Sequence, residues 1–137
     1  MKMLSCEIVT PEKLLFSEEV YFVSVPATKG ELGILPRRAP IMSTLSRGVV
    51  RVKKEDKSDP IVFAVAGGYV EADGYKVVVL ADRAEAIEKC TLENVREIKA
   101  ENEKKLASLG EGDSRTAFIK NEIAWYSLLE TQLTRSR

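Results

Sequence analysis

Histidine is absent from all 137 residues of this chain. Histidine is the commonest general base, the usual partner of a nucleophilic serine or cysteine, and a frequent zinc ligand. The carboxylates that could act as acid or base in its place do not form a recognisable catalytic pair. We therefore expect a protein that holds no metal and has no catalytic activity of its own.

The chain also has only two cysteines, a net charge of zero and no long apolar run. Cys6 and Cys90 are too far apart for a CxxC pair, so two free thiols are favoured over a disulfide or a metal site. Lysine plus arginine equals aspartate plus glutamate at 21 each, which argues against a nucleic-acid partner because nucleic-acid binders are usually basic. No apolar run reaches the roughly 18–20 residues of a membrane-spanning helix, and residues 1–10 lack the apolar core of a secretory signal.

Proline and glycine are unevenly distributed along the chain. All five prolines occur in the first 60 residues, and six of the eight glycines occur by residue 74. Short β-branched and aromatic stretches alternate with turn residues in this first part, which is typical of an antiparallel β-sandwich or barrel. The prediction is an α+β fold, with a β-sandwich domain over residues 1–84 and a two-helix antiparallel hairpin over residues 90–137.

Apolar stretches predict the individual strands at residues 3–9, 14–16, 19–25, 40–45, 49–53, 61–66, 69–71 and 75–80. Gly67-Gly68 interrupts this series. The pair lacks the spacing of a phosphate-binding loop, so it indicates a bulge or a close approach between strands. Asp73-Gly74 predicts a tight hairpin turn.

Capping residues predict the two helices. Thr91 can cap a helix that begins at Leu92, and Gly110-Glu111-Gly112 ends it. Asp113 or Ser114 can cap the second helix. Both helices have thin apolar faces, so two interpretations stay open: a hairpin that packs on itself and on the sandwich, or a mobile arm that docks on other subunits.

The stretch Gly30-Glu31-Leu32-Gly33-Ile34-Leu35-Pro36-Arg37-Arg38-Ala39-Pro40 predicts a shaped corner between strands, because its glycines and prolines restrict the backbone. Its charged side chains, Glu31, Arg37 and Arg38, have no core role and should point to water or to a partner. The simpler alternative is a tight turn with ordinary surface charge.

Five motifs follow one another in a fixed order: Val9-Thr10-Pro11 with Leu15-Phe16-Ser17, the 30–40 corner, Arg47-Gly48-Val49-Val50-Arg51-Val52, Ala66-Gly67-Gly68-Tyr69-Val70-Glu71, and Val77-Val78-Val79-Leu80-Ala81-Asp82. In this order and spacing they resemble the epsilon subunit of bacterial and chloroplast rotary F-type ATP synthases. The resemblance, completed by the helical hairpin, covers essentially the whole chain.

The resemblance implies a non-catalytic subunit of the central stalk. In that family the sandwich joins the gamma subunit to the ring of c subunits. The helical arm folds on the sandwich or extends along gamma into the alpha/beta catalytic hexamer, where it inhibits ATP hydrolysis. The chain would then couple gamma to the c ring during ATP synthesis. It would associate with the membrane only through the complex, on the cytoplasmic face of the bacterial inner membrane.

The resemblance also implies site residues. Glu31 corresponds to the c-ring contact, and Arg37 and Arg38 would form its rim, although relatives commonly carry other residues at these two positions. Basic residues of the arm would meet acidic segments of the beta subunits: Arg115, Lys120 and Arg135.

Some relatives bind ATP through an Ile/Leu-Asp-x-x-Arg-Ala motif at the start of the first helix. The matching run here is Leu92-Glu93-Asn94-Val95-Arg96-Glu97. Arg96 is kept, but Glu93 replaces aspartate and Glu97 replaces alanine. Because an added carboxylate repels a nucleotide phosphate, we predict weak or absent ATP binding and no other cofactor.

Two rival functions remain at this point. A free-standing β-sandwich module that binds a small ligand or carbohydrate would be a monomer with a concave, aromatic-lined site. An enzyme is the third alternative, and the missing histidine counts against it.

Overall fold

The computed structural model describes residues 2–135. The chain divides into two compact units, Met1–Ala86 and Ile87–Arg137. The first unit contains the β-strands and the second contains the helices, so the α+β prediction is confirmed. Met1, Ser136 and Arg137, which end the two predicted domains, lie outside the described residues.

The β unit contains eight strands: β1 Leu4–Val9, β2 Leu14–Val20, β3 Phe22–Ala27, β4 Gly30–Ile34, β5 Ile41–Thr44, β6 Gly48–Lys53, β7 Ile61–Ala72 and β8 Lys76–Ala86. Their order in the sheet is β2-β1-β8-β7-β6-β3-β4, and β5 also pairs with β7. Neighbouring strands are antiparallel except β1 and β8, which run parallel. This parallel pair departs from the antiparallel prediction, because no local pattern shows which distant strand returns beside β1.

The long strand β7 is shared by two layers. Its first half pairs with β6 and its second half with β5, whereas β8 accompanies it along the other edge. A break at Gly67-Gly68 was the wrong prediction, since both glycines lie inside β7 with φ of 73° and 106°. The register with β8 continues without a shift from Ala66↔Arg83 to Gly68↔Ala81. The alternative of a close approach is confirmed, because a Cβ atom at Gly68 would collide with the carbonyl oxygen of Leu80.

Inward-facing residues of these strands form the core, and its twelve largest fully buried side chains are Leu4, Cys6, Ile8, Val20, Val23, Val25, Val50, Val52, Val65, Val70, Val77 and Val79. Each fully buried Val or Leu side chain contributes about 1.5–3 kcal/mol. Phe16 and Phe63 add an edge-to-face pair with ring centroids 5.6 Å apart. Burial raises the pKa of the Cys6 thiol to about 12, so this free cysteine stays protonated and packs as a small apolar residue.

Several strand boundaries differ from the sequence prediction: β2 extends past residue 16 to Val20, and β8 extends past residue 80 to Ala86. The single strand predicted over 19–25 is divided, because β2 ends at Val20 and β3 begins at Phe22. Between them, the Tyr21 N–H donates to the Lys53 carbonyl oxygen at 2.8 Å, which marks the change of partner from β1 to β6. Half of the predicted 30–40 corner is strand β4, which pairs with β3 through a turn at Thr28-Lys29.

The second unit is the predicted helical hairpin. After a 3₁₀ turn at Ile87–Lys89, helix α1 runs over Leu92–Ser108 and helix α2 over Thr116–Arg135. The Thr91 hydroxyl accepts the Asn94 N–H at 3.3 Å, which confirms the predicted N-cap. Within the described residues, neither helix is long and apolar enough to span a bilayer.

Four apolar residues of the helices are buried: Val95, Ile119, Trp125 and Leu129. Asn102 is buried as well, and its side-chain nitrogen donates to the Ile98 carbonyl oxygen at 3.0 Å. This hydrogen bond satisfies the amide nitrogen where the α1 apolar stripe is interrupted.

We predict that Gly68→Ala destabilises the β unit. An alanine at φ 106° costs about 1–3 kcal/mol in backbone strain, and the collision of its Cβ with the Leu80 carbonyl adds to that cost. Urea denaturation followed by far-ultraviolet circular dichroism would measure the loss in free energy of unfolding.

Gly110→Ala is the matched control for that substitution. A Cβ at Gly110 meets no atom within 4 Å, so the free energy of unfolding should change by about 0.5 kcal/mol or less. Equal effects of the two substitutions would contradict the role of Gly68.

Candidate functional site

An apolar cluster lies on the outward face of the sheet formed by β1, β8, β7 and β5. We call it the outer patch and define it by Val9, Met42, Tyr69, Val78 and Leu80. The register places Val9 beside Leu80 and Leu80 beside Tyr69. In the next cross-strand row Val78 lies beside Glu71, which lies beside Met42.

The outer patch is open to solvent. Met42 is 68% exposed and Tyr69 is 43% exposed, whereas Val9, Val78 and Leu80 are half-buried. Leu14, which pairs with Val9 from β2, is 57% exposed and extends the apolar surface. Apolar side chains gathered in one place on a surface mark a protein-binding site rather than scattered surface variation.

Charged groups lie both within and around the outer patch, since Glu71 separates Val78 from Met42. Lys76 Nζ forms an ion pair with Glu7 at 3.3 Å. A pocket of about 320 Å³ opens at the β5 end of the patch. It has both apolar and charged walls, formed by Pro40, Ile41, Met42, Glu71, Ala72, Asp73, Lys76 and Val78. An apolar centre with a polar rim is the usual anatomy of a protein–protein interface.

Sequence reasoning missed the outer patch. The signal present in the sequence was the run Val77-Val78-Val79-Leu80, which is apolar at outward as well as inward positions. In a half-buried strand the outward positions are usually polar. Val78 and Leu80 are apolar at outward positions of β8, and both belong to the outer patch.

Arg37 is tied to its own chain. Its φ is 62°, and its backbone N–H donates to the Gly74 carbonyl oxygen at 2.7 Å. Its Nη1 donates to the carbonyl oxygens of Met3 at 3.1 Å and Gly74 at 3.3 Å, and the guanidinium lies 4.3 Å from the Tyr75 ring centroid. Arg37 therefore fixes the 35–40 turn to the β7–β8 turn, a role that sequence reasoning did not predict.

The other charged residues of the 30–40 stretch occupy different places. Arg38 is exposed. Glu31 lies in the β3–β4 hairpin, where it forms an ion pair with Arg51 of β6 at 3.8 Å. Within the chain, Glu31 thus contacts β6, whereas Arg37 contacts the β7–β8 turn.

Arg96 of the degenerate nucleotide motif already contacts a carboxylate. Its Nε donates to Glu130 Oε2 at 2.9 Å, and Lys99 Nζ donates to Glu130 Oε1 at 2.9 Å. The hydrogen bond from Lys99, followed by that from Arg96, lowers the pKa of Glu130. Glu93 is exposed in the first turn of α1, where its charge favours the helix dipole.

The predicted beta-subunit contacts are spread along the second helix. Arg115, just before α2, makes two side-chain hydrogen bonds to Asp113, at 3.1 and 2.8 Å. These bonds lower the pKa of Asp113 to about 2. Lys120 and Arg135 are exposed and lie roughly 22 Å apart along the helix axis. Arg115 precedes α2, and about four helical turns separate Lys120 from Arg135.

In residues 2–135, aspartate, glutamate and cysteine side chains do not form a group of three or more that could hold a metal ion. Tyr69 is the aromatic residue of the outer patch, and Tyr75 is a further exposed tyrosine, which contacts Arg37. The pocket at the edge of the patch has no aromatic wall. The geometry of the described residues therefore supplies a binding surface.

Comparison with known proteins identifies the family. Residues 3–87 match the model of the ATP synthase Delta/Epsilon chain beta-sandwich domain. The ATP synthase epsilon chain of Desulforamulus reducens is 43% identical over 104 residues, 76% of this chain and 77% of that relative. The epsilon chain of Pelotomaculum thermopropionicum is 41% identical over 101 residues, 74% of each chain.

The fold also recurs in a solved structure. A chain in the cryo-EM structure of Euglena gracilis mitochondrial ATP synthase, OSCP/F1/c-ring, superposes with a TM-score of 0.78 at 17% identity. The match covers 97% of this chain and 82% of that one. Together with the family match over residues 3–87 and the identities above 40%, it leads to one conclusion: the chain belongs to the ATP synthase epsilon-chain family and is a non-catalytic subunit of that complex.

Proposed function

We propose that the β unit binds the gamma subunit through the outer patch and holds gamma to the c ring. The observation that carries this proposal is the exposed apolar surface of Met42, Tyr69 and Leu14 in a chain of the epsilon family. Exposed apolar surface has an unfavourable hydration free energy in a monomer, and binding of a partner removes that surface from water.

The c-ring contact is proposed for the 30–40 stretch. Its exposed charges are Glu31 and Arg38. The Glu31–Arg51 ion pair is long and solvent-exposed, so a partner surface can compete with it for Glu31. Arg37 is proposed to hold the backbone of this contact in place through its hydrogen bonds to the carbonyl oxygens of Met3 and Gly74.

The helical unit is proposed to be the mobile regulatory arm that restrains ATP hydrolysis. Helix α2 carries Lys120 and Arg135 on exposed positions, and Phe118 near its start is also exposed. Exposed cations suit an acidic segment of a beta subunit. ATP binding by the arm is proposed to be weak or absent, and the engagement of Arg96 by Glu130 supports this.

The chain is a peripheral part of a membrane-bound complex. The finer location that we propose is the cytoplasmic face of a bacterial inner membrane, with attachment only through the complex. The similarity to the chains of Desulforamulus reducens and Pelotomaculum thermopropionicum supports a bacterial setting.

The rival ligand-binding module has little support from the geometry. It requires a concave site lined by aromatic rings. The pocket beside the outer patch is walled by Pro40, Ile41, Met42 and charged residues instead.

Deleting residues 90–137 should leave a folded β unit that still binds gamma. The truncation ends after the unit boundary at Ala86, so the sheet and its core remain whole. Reconstituted complexes with the truncated chain should hydrolyse ATP faster than those with the full chain. Pull-down with gamma and a steady-state ATPase assay are the two measurements. An unfolded truncated chain, or a rate of ATP hydrolysis that does not increase, would contradict the assignment of gamma binding to the β unit and of inhibition to the helical unit.

Tyr69→Lys should weaken gamma binding. A partly exposed aromatic at the centre of an interface is a typical hot spot, so the Kd for isolated gamma should rise about tenfold or more. Glu85→Lys is the matched control, because it places a lysine on an exposed position of β8 outside the outer patch. Biolayer interferometry compares the three chains. If Tyr69→Lys bound gamma as tightly as the unmodified chain, the patch would not be the gamma site.

Arg37→Ala and Arg38→Ala should behave differently. Loss of the Arg37 hydrogen bonds and of its contact with Tyr75 should lower the free energy of unfolding by about 1–2 kcal/mol. Arg38→Ala should change it by about 0.5 kcal/mol or less and should instead weaken association with purified c ring. Thermal denaturation and c-ring pull-down separate the two effects, and matching results for both variants would contradict the assignment.

A further inference from the structure

A pocket of about 330 Å³ lies at the loop end of the helical hairpin, and we call it the loop-end pocket. Its walls include Asn102, Lys105, Leu109, Arg115, Phe118 and Ile119. These residues come from the second half of α1, the interhelical loop and the start of α2. The volume lies at the lower end of the range that is typical of small-molecule sites.

A buried polar residue explains why the helices leave this space. Val95 and Asn102 are seven residues apart on α1, so they share one helix face, and both are buried. The side-chain nitrogen of Asn102 donates to the Ile98 carbonyl oxygen of its own helix at 3.0 Å. A short polar side chain thus occupies a position where a longer apolar one would fill the interface with α2.

The apolar part of the loop-end pocket comes from three side chains. Ile119 is buried, Leu109 is half-buried, and Phe118 is 67% exposed. Aromatic and aliphatic walls bind the hydrocarbon part of a ligand by removing it from water. The exposed ring of Phe118 lies at the edge of the pocket, where a ligand can cover it.

The charged part of the loop-end pocket is positive. Arg115 and Lys105 line the pocket, and the described lining residues include no carboxylate. Arg115 already makes two side-chain hydrogen bonds to Asp113, at 3.1 and 2.8 Å. Lys105 is exposed, and in the described part of the chain its ammonium group takes part in no ion pair. One cation is therefore available for one negative charge.

We propose that the loop-end pocket binds a small apolar monocarboxylate. Its hydrocarbon part packs against Phe118 and Ile119, and its carboxylate pairs with Lys105. The ligand is a small molecule rather than a protein segment, because the pocket is small and stable protein interfaces bury about 1,200–2,000 Å². This inference concerns the helical unit alone and does not rest on the partner contacts proposed above.

Binding should also stabilise the closed hairpin. Asn102 and Lys105 belong to α1, whereas Phe118 and Ile119 belong to α2, so the site is complete only while the helices are paired. A ligand that binds only the closed form shifts the closed-to-open equilibrium in its favour. Trp125, the single tryptophan of the chain, is buried on α2 and reports this equilibrium by its fluorescence.

The test is a titration of the full chain with sodium phenylbutyrate, followed by heteronuclear amide NMR at constant ionic strength. Saturable chemical-shift changes should centre on the pocket residues and include the side-chain amide of Asn102. Phenylbutyramide, which has the same hydrocarbon part and no charge, should bind with a Kd about two- to fivefold higher, as expected for loss of an exposed ion pair. In urea titrations followed by Trp125 fluorescence, phenylbutyrate at about ten times its Kd should raise the closed-to-open equilibrium constant about tenfold.

Three variants separate charge recognition from apolar packing. Lys105→Gln should raise the Kd of phenylbutyrate about two- to fivefold and leave that of phenylbutyramide unchanged. Lys104→Gln, its matched control, removes an exposed neighbouring lysine that does not line the pocket and should bind both compounds as the unmodified chain does. Phe118→Ala removes an exposed ring and should weaken binding of both compounds.

Four results would overturn the proposal. They are shift changes that centre on the outer patch of the β unit, equal affinities for phenylbutyrate and phenylbutyramide, equal effects of Lys105→Gln and Lys104→Gln, and unchanged urea titrations with phenylbutyrate. An acetylated peptide of leucine and glutamate residues is the last comparison. If it occupied the pocket more tightly than phenylbutyrate, the site would belong to a protein partner and the assignment to a small molecule would be wrong.

Discussion

The β unit depends on the continuous pairing of β7 with β8. These two strands are the longest in the molecule, and β7 lies against β6 over its first half and β5 over its second. Gly67 and Gly68 permit this change of partner without a shift in the β8 register. A side chain at Gly68 would collide with the Leu80 backbone. The β7–β8 pairing therefore requires glycine at this position.

The same ladder positions the surfaces that we assign to partners. Leu80 and Val78 of β8 join Tyr69 of β7 on the outward face to make the outer patch. At the far end of the ladder, the β7–β8 turn presents the Gly74 carbonyl to Arg37 and so fixes the 35–40 turn. One structural element thus supports both the apolar surface and the charged corner.

Features with local determinants could be predicted from the sequence. Thr91 caps α1, and Asp73-Gly74 turns the chain between β7 and β8, because the groups involved lie within a few residues of each other. Features that depend on distant partners could not. The division at Tyr21, the parallel β1–β8 pair and the outer patch exist only after strands far apart in sequence have met. The contacts of Arg96 and Lys99 with Glu130 belong to the second group, because they form only after α1 and α2 have packed together.

If this chain is a stalk subunit that acts through its partners, the tagged full chain should co-purify with the ATP synthase of its own cell. We expect recovery of gamma and the alpha/beta hexamer in fixed ratio to the chain, with the c ring retained in mild detergent. Recovery of the chain as a free monomer, without gamma, would contradict it.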